Sequence, residues 1–192
     1  MESRTIDPAS LTSGDNVVAR QLFLKYGGSH FQMQRDGEFQ RYQAFGISKA
    51  QELGWAQDRR DAILRLLDTR FLVCEAFVEL VGLIVECGDV VGLHLLVNLV
   101  EARRLHLDTF TALRIAEELF RICGSLRSQG ALPALGRGEI RRCIDHLLKT
   151  IDEQDYFVDP YYHTVPYLAD VLSQERVVER VKRLRESVLA NG

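Results

Sequence analysis

No stretch of this sequence stays apolar and uncharged long enough to cross a bilayer. The oiliest region, residues 71–100, is interrupted by Glu75, Glu79, Glu86 and Asp89. Its longest uncharged piece, residues 90–100, falls well short of the ~20 residues a membrane helix needs, so no membrane association is expected. The first fourteen residues, MESRTIDPASLTSG, carry no apolar h-region, which predicts a chain without a secretory signal.

Cysteine is sparse and unclustered. Cys74, Cys87, Cys123 and Cys143 stand singly with no C-x-x-C pair, which argues against a disulfide framework. Each falls in or at the end of an apolar helical run, where a thiol behaves as a small hydrophobe. The cytoplasm is the expected compartment. Excess charge is missing too: 24 basic against 27 acidic residues give a net charge of -3, which excludes a generally basic nucleic-acid binder. Arginine outnumbers lysine 20 to 4, which we read as genome composition, and we expect a bacterial source. With 46% hydrophobic residues the 192-residue chain has enough apolar side chains for a core without staples, and disorder is excluded for most of it.

Catalytic motifs are also lacking. There is no G-x-S-x-G, no P-loop and no dinucleotide-binding glycine fingerprint. There is no His-Glu-x-x-His or Glu-x-x-His, and Cys143-x-x-His146 has no second half. No catalytic residue, metal or cofactor is therefore assigned, and a non-enzymatic role is favoured. Gly136-Arg137-Gly138 could offer backbone donors to an anion, although a bare linker explains those glycines better.

What is present reads as helix. Residues 1–14 are expected to form a tail and 15–192 a single helical domain. Asp15 opens a short helix stopped by Gly27-Gly28, and Ser48 caps one running to about Asp68. Residues 69–87 and 90–104 form an apolar pair turning at Gly88-Asp89. Asp108 caps the next helix, and residues 139–152 carry a clean stripe of Ile140, Cys143, Ile144, Leu147, Leu148 and Ile151. Ser173 caps the last, with Val177, Val181, Leu184 and Val188 on one face. Residues 128–138, SQGALPALGRG, read as a linker at which the domain could subdivide. Near residues 30–42, Phe31 and Met33 alternate with glutamines ahead of Asp36-Gly37, which suits a small β-hairpin or an ordered loop with a helical turn. The expected class is all-α: six to seven helices in an antiparallel bundle, with an irregular armadillo- or HEAT-like stack of helical hairpins as the alternative.

The aromatics are unevenly spread. All six tyrosines lie in two segments, 26–46 and 155–167. Tyrosine joins an apolar body to a polar tip, which suits interfaces, but irregular segments also need aromatic plugs to hold them on a core. If the segments meet, His30, Arg35, Arg41, Tyr42, Asp159, Tyr161, Tyr162 and His163 are the candidate binding residues. The expected role is binding a protein partner or a second copy of the chain. The alternative is a small-ligand or enzyme pocket using His30, Tyr42, Tyr162 and His163. A cleft would favour the second and a flat aromatic patch the first.

Two further patterns stand out. Glu75, Glu79, Gly82 and Glu86 form one stripe of an oily helix, and His94, Asn98 and Glu101 one stripe of the next. Facing each other they could hold a metal or serve as acid and base, but pairing with Arg70, Arg103 or Arg104, or plain exposure, is the better reading. The last helix carries Arg176, Arg180, Lys182, Arg183 and Arg185 interleaved with Glu175, Glu179 and Glu186, the pattern of a solvated face rather than a nucleic-acid reader.

Overall fold

A computed structural model describes residues 13–69, 75–131 and 134–190. Residues 1–12 of the expected tail, and Arg70 and Cys74, lie outside them. The helices are α1 (Ser13–Lys25), α2 (His30–Arg35), α3 (Phe39–Gln43), α4 (Lys49–Thr69), α5 (Glu75–Cys87), α6 (Val90–Arg103), α7 (Thr109–Ser128), α8 (Ala134–Glu153), α9 (Pro160–His163) and α10 (Gln174–Ala190), with 3-10 turns at Arg104–His106 and Pro166–Val171. Among the described residues every regular element is helical.

The long helices stack in pairs. α5 and α6 form one pair, α7 and α8 the next; α5 rests on α7 and α6 on α8. α4 lies across α5 and α6 with α1 against it, and α10 packs on α7. α7 is the centre of the stack, with Phe110, Leu113, Ile115, Leu119, Ile122 and Leu126 all buried and Arg114, Glu117, Glu118 and Arg121 on its remaining face. α8 and α10 are amphipathic, and the valine and leucine stripe of α10 is buried as its spacing implied.

Caps set the boundaries. Asp89 accepts from Gly92 N at 2.9 Å, Asp108 from Phe110 N and Thr111 N at 3.0 and 3.1 Å, and Ser173 from Arg176 N at 3.4 Å. The linker expected over 128–138 is shorter in the structure. Gly130, at φ +68°, closes α7, with Ala131 N donating to Leu126 O at 2.9 Å. Gly136-Arg137-Gly138 already lies within α8, which packs along α7 on the other side of that turn.

The hairpin weighed for residues 30–42 is replaced by two short helices. Ser29 caps α2, and Gly37 (φ +78°) ends it, with Glu38 N bonded to Met33 O at 2.9 Å and Gly37 N to Gln34 O at 3.2 Å. That is a Schellman helix end, which needs the same left-handed glycine as a hairpin turn. The alternation of Phe31 and Met33 misleads because only Met33 is buried, while Phe31 is 75% exposed.

Arg60 and Asp89 form a charged pair buried in the stack. Arg60 of α4 reaches Asp89 at 2.8 Å, and both side chains are nearly enclosed. Gly92 makes room for it: a Cβ there would lie 2.8 Å from Arg60 Cδ and 2.6 Å from Asp89 Oδ2.

Candidate functional site

The segment 155–167 is welded to the start of α7. Thr109 N donates to Phe157 O at 2.8 Å, and Phe157 N returns a bond to Thr109 Oγ1 at 3.0 Å. Asp159 caps α9 through Tyr161 N at 2.8 Å, and Pro160 supplies the preset first helical residue. This turn drives Tyr162 into the core. Its ring lies edge-on to Phe110 at 4.9 Å, and its hydroxyl is 2.8 Å from Thr111 Oγ1, which itself donates to Asp108. Burial raises the Asp108 carboxyl above its ordinary value, against the hydrogen bonds it accepts from Thr111, Asp159 and Phe110. Tyr156 is held similarly, donating to Leu172 O.

The segment 26–46 has its own anchor. Tyr42 is 4% exposed and donates to Glu52 Oε1 at 2.6 Å; His30 Nε2 lies 2.9 Å from the same oxygen. The His30 ring sits beside Phe39 and Tyr42, at 5.3 and 5.6 Å. Burial, reinforced by the carboxylate, pushes the Tyr42 phenol far above its ordinary range. Glu52, on α4, was not singled out from sequence, and no local spacing links it to residues 10 and 22 positions away. Among the described residues Arg35 and Arg41 make only local pairs, with Asp36 at 3.1 Å and Glu38 at 3.5 Å. Tyr42 and Tyr162 are thus buried, with their hydroxyls engaged inside the fold, and neither is a free polar group of a surface patch.

Both segments border one open groove of about 1820 Å³. Tyr26, Gly27, Ser29 and Gln32 contribute to one side; Tyr161, Tyr162, Val165 and Tyr167 contribute to the other. Tyr161 is 39% and Tyr167 82% exposed. His30, Arg35, Arg41, Tyr42, Asp159 and His163 do not line it. Between the two sides runs the α5 stripe, with Glu75, Glu79, Gly82 and Glu86 all lining the groove.

Bidentate arginines order its charges. Arg59 holds Glu79 through two bonds of 2.6 Å, and Arg180 holds Glu117 at 2.9 and 2.6 Å while stacking 5.5 Å over Phe110. Arg114 joins Glu117 at 3.1 Å. Glu75 and Glu86 have no ion-pair partner among the described residues. The facing stripe expected on α6 turns elsewhere: His94 pairs with Glu139 of α8 at 2.8 Å, Glu101 with His146 at 2.9 Å and Arg104 at 3.3 Å, and Asn98 is exposed. The carboxylates of α5 and the imidazole of α6 therefore make no common site. Among the described residues no group of three His, Cys, Asp or Glu side chains could hold a metal ion, and no helix is long and apolar enough to cross a membrane. No protein-family model matches the chain, and no curated protein or solved structure is significantly similar to it.

Proposed function

We propose that the protein is an interaction module whose groove along α5 receives a segment of another protein. The observation that carries this is the convergence of the two tyrosine-bearing segments on one open groove of about 1820 Å³. That exceeds the roughly 300–1,000 Å³ usual for small-molecule sites. Exposed Val78, Tyr161 and Tyr167 offer apolar contacts, and rigid aromatics supply contact area at little entropic cost. Glu75 and Glu86, eleven residues apart on one helix face, span about 16 Å and call for basic side chains on the occupant. The fitting partner is an amphipathic segment carrying apolar anchors between two Lys or Arg residues. The cytoplasm remains the compartment we favour, supported by the free thiols of Cys87, Cys123 and Cys143.

Panning a displayed random-peptide library on the immobilised full chain tests this. Enriched peptides should share basic and apolar positions and lose binding to the Tyr167→Ala and Glu86→Lys variants. Enrichment of peptides indifferent to both substitutions, or no enrichment, rejects the groove as the binding surface.

A further inference from the structure

A second, smaller pocket, of about 550 Å³, opens between α7, α8 and α10. Phe120 and Cys123 of α7, Ile140 and Ile144 of α8 and Val188 of α10 give it an apolar interior. Arg127, Arg137 and Arg141 line it too, all exposed, and none has an ion-pair partner among the described residues. Elsewhere Arg59, Arg60, Arg103, Arg114, Arg180 and Arg185 hold carboxylates, while Arg65 and Arg142 share with these three the lack of an ion-pair partner among the described residues. Among the described residues no acidic side chain lines the pocket.

The space is left open by two glycines. Gly124 and Gly138 line the pocket from α7 and α8, and a Cβ on either would meet nothing within 4 Å. They do not permit a close helix approach, so their effect is to keep the recess empty. Arg137 and Gly138 sit near the N-terminus of a 20-residue helix, whose dipole adds to the positive field. Burial raises the Cys123 thiol above its ordinary value, and Arg137 and Arg127 oppose that rise.

We propose that this pocket binds a small anionic amphiphile, a medium-chain carboxylate whose tail fills the apolar interior and whose head is gripped by the three arginines. The volume lies within the range of small-ligand sites, and the guanidinium fork matches a carboxylate in two parallel bonds. Three arginines without an acidic neighbour among the described lining residues surround an apolar recess, so charge and shape call for the same occupant.

Calorimetric titration of the full chain with octanoate, its neutral counterpart octanol, and inorganic phosphate tests the proposal. Octanoate should bind one to one, roughly tenfold or more tighter than octanol, with phosphate much weaker than either. The double variant Arg137→Gln/Arg141→Gln, altered only at exposed positions, should weaken octanoate by at least about tenfold with an unchanged melting curve. Gly138→Leu should block the pocket, and Glu86→Lys in the α5 groove should leave binding as it was. Equal affinity for octanoate and octanol, no octanoate binding, or full binding by the double glutamine variant overturns the proposal. So does co-sedimentation with phosphatidylglycerol vesicles by a chain that ignores octanoate, which would make the arginines a membrane-facing patch.

Discussion

The Tyr162 hydroxyl lies 2.8 Å from Thr111 Oγ1, joining a short irregular segment to the first turn of the central helix. Thr111 donates its own hydrogen bond to Asp108, so three polar groups in the core satisfy one another. Tyr162→Phe removes one member and should cost about 1 kcal/mol, read as a lower urea midpoint at unchanged slope. Tyr162→Ala should cost about 3–5 kcal/mol through the cavity it leaves. Tyr161→Phe should leave the midpoint where it is; a shift equal to that of Tyr162→Phe would contradict the network.

Gly92 and Gly82 make a matched pair. Alanine is a better helix former than glycine by about 1 kcal/mol, so Gly82→Ala, whose Cβ meets nothing within 4 Å, should stabilise the protein. Gly92→Ala should do the opposite. Its Cβ would fall 2.6 Å from Asp89 Oδ2 and prise apart the buried Arg60–Asp89 pair. Denaturation midpoints moving in opposite directions are the expected result, and the same sign for both would refute the packing described.

Alkaline pH should loosen the fold. Burial raises the Cys87 thiol from 9.0 to about 11, and it raises Cys143 and Tyr42 further above their ordinary values. The unfolded chain then releases these protons first, so the stability is full below pH 9 and is lost progressively as pH rises toward the folded values. Denaturation midpoints measured from pH 8 to 11 should fall, and Cys143→Ala should flatten part of that slope. A midpoint independent of pH across this range would count against the buried thiols.

Side chains along the α5 groove divide by burial in what they contribute to stability. Tyr167 and Val78 are exposed, so alanine at either should change the melting temperature by less than about a degree. Arg180→Ala, which breaks the two bonds to Glu117 and uncovers Phe110, should lower stability by about 1 kcal/mol. Thermal melts of the three variants read this directly.

Helices with a strong stripe were legible from residues alone. Val177, Val181, Leu184 and Val188 announced the buried face of α10, and Asp108 and Ser173 announced helix starts, because a cap and a period of 3.6 are local properties. The 30–42 region was ambiguous for a physical reason: Asp36-Gly37 serves a Schellman helix end as readily as a hairpin turn, and only burial of Met33 decides. The tyrosine clustering marks two stretches that border one groove, but not which of their side chains face it. Tyr161 and Tyr162 are adjacent in sequence, yet α9 turns one outward and the other into the core. The α5 stripe pointed to a polar face, while its partner Arg59 lies on a helix twenty residues earlier, a pairing that no local period encodes.

The two bonds exchanged by Thr109 and Phe157 close the α7–α8 hairpin at the end away from its turn. The backbone there is bracketed, so the connection from α7 to α8 is not alone in keeping the two helices together. A chain severed between Gly130 and Ala131 would remain clasped, and new termini at that point would make this pair a natural seam for circular permutation.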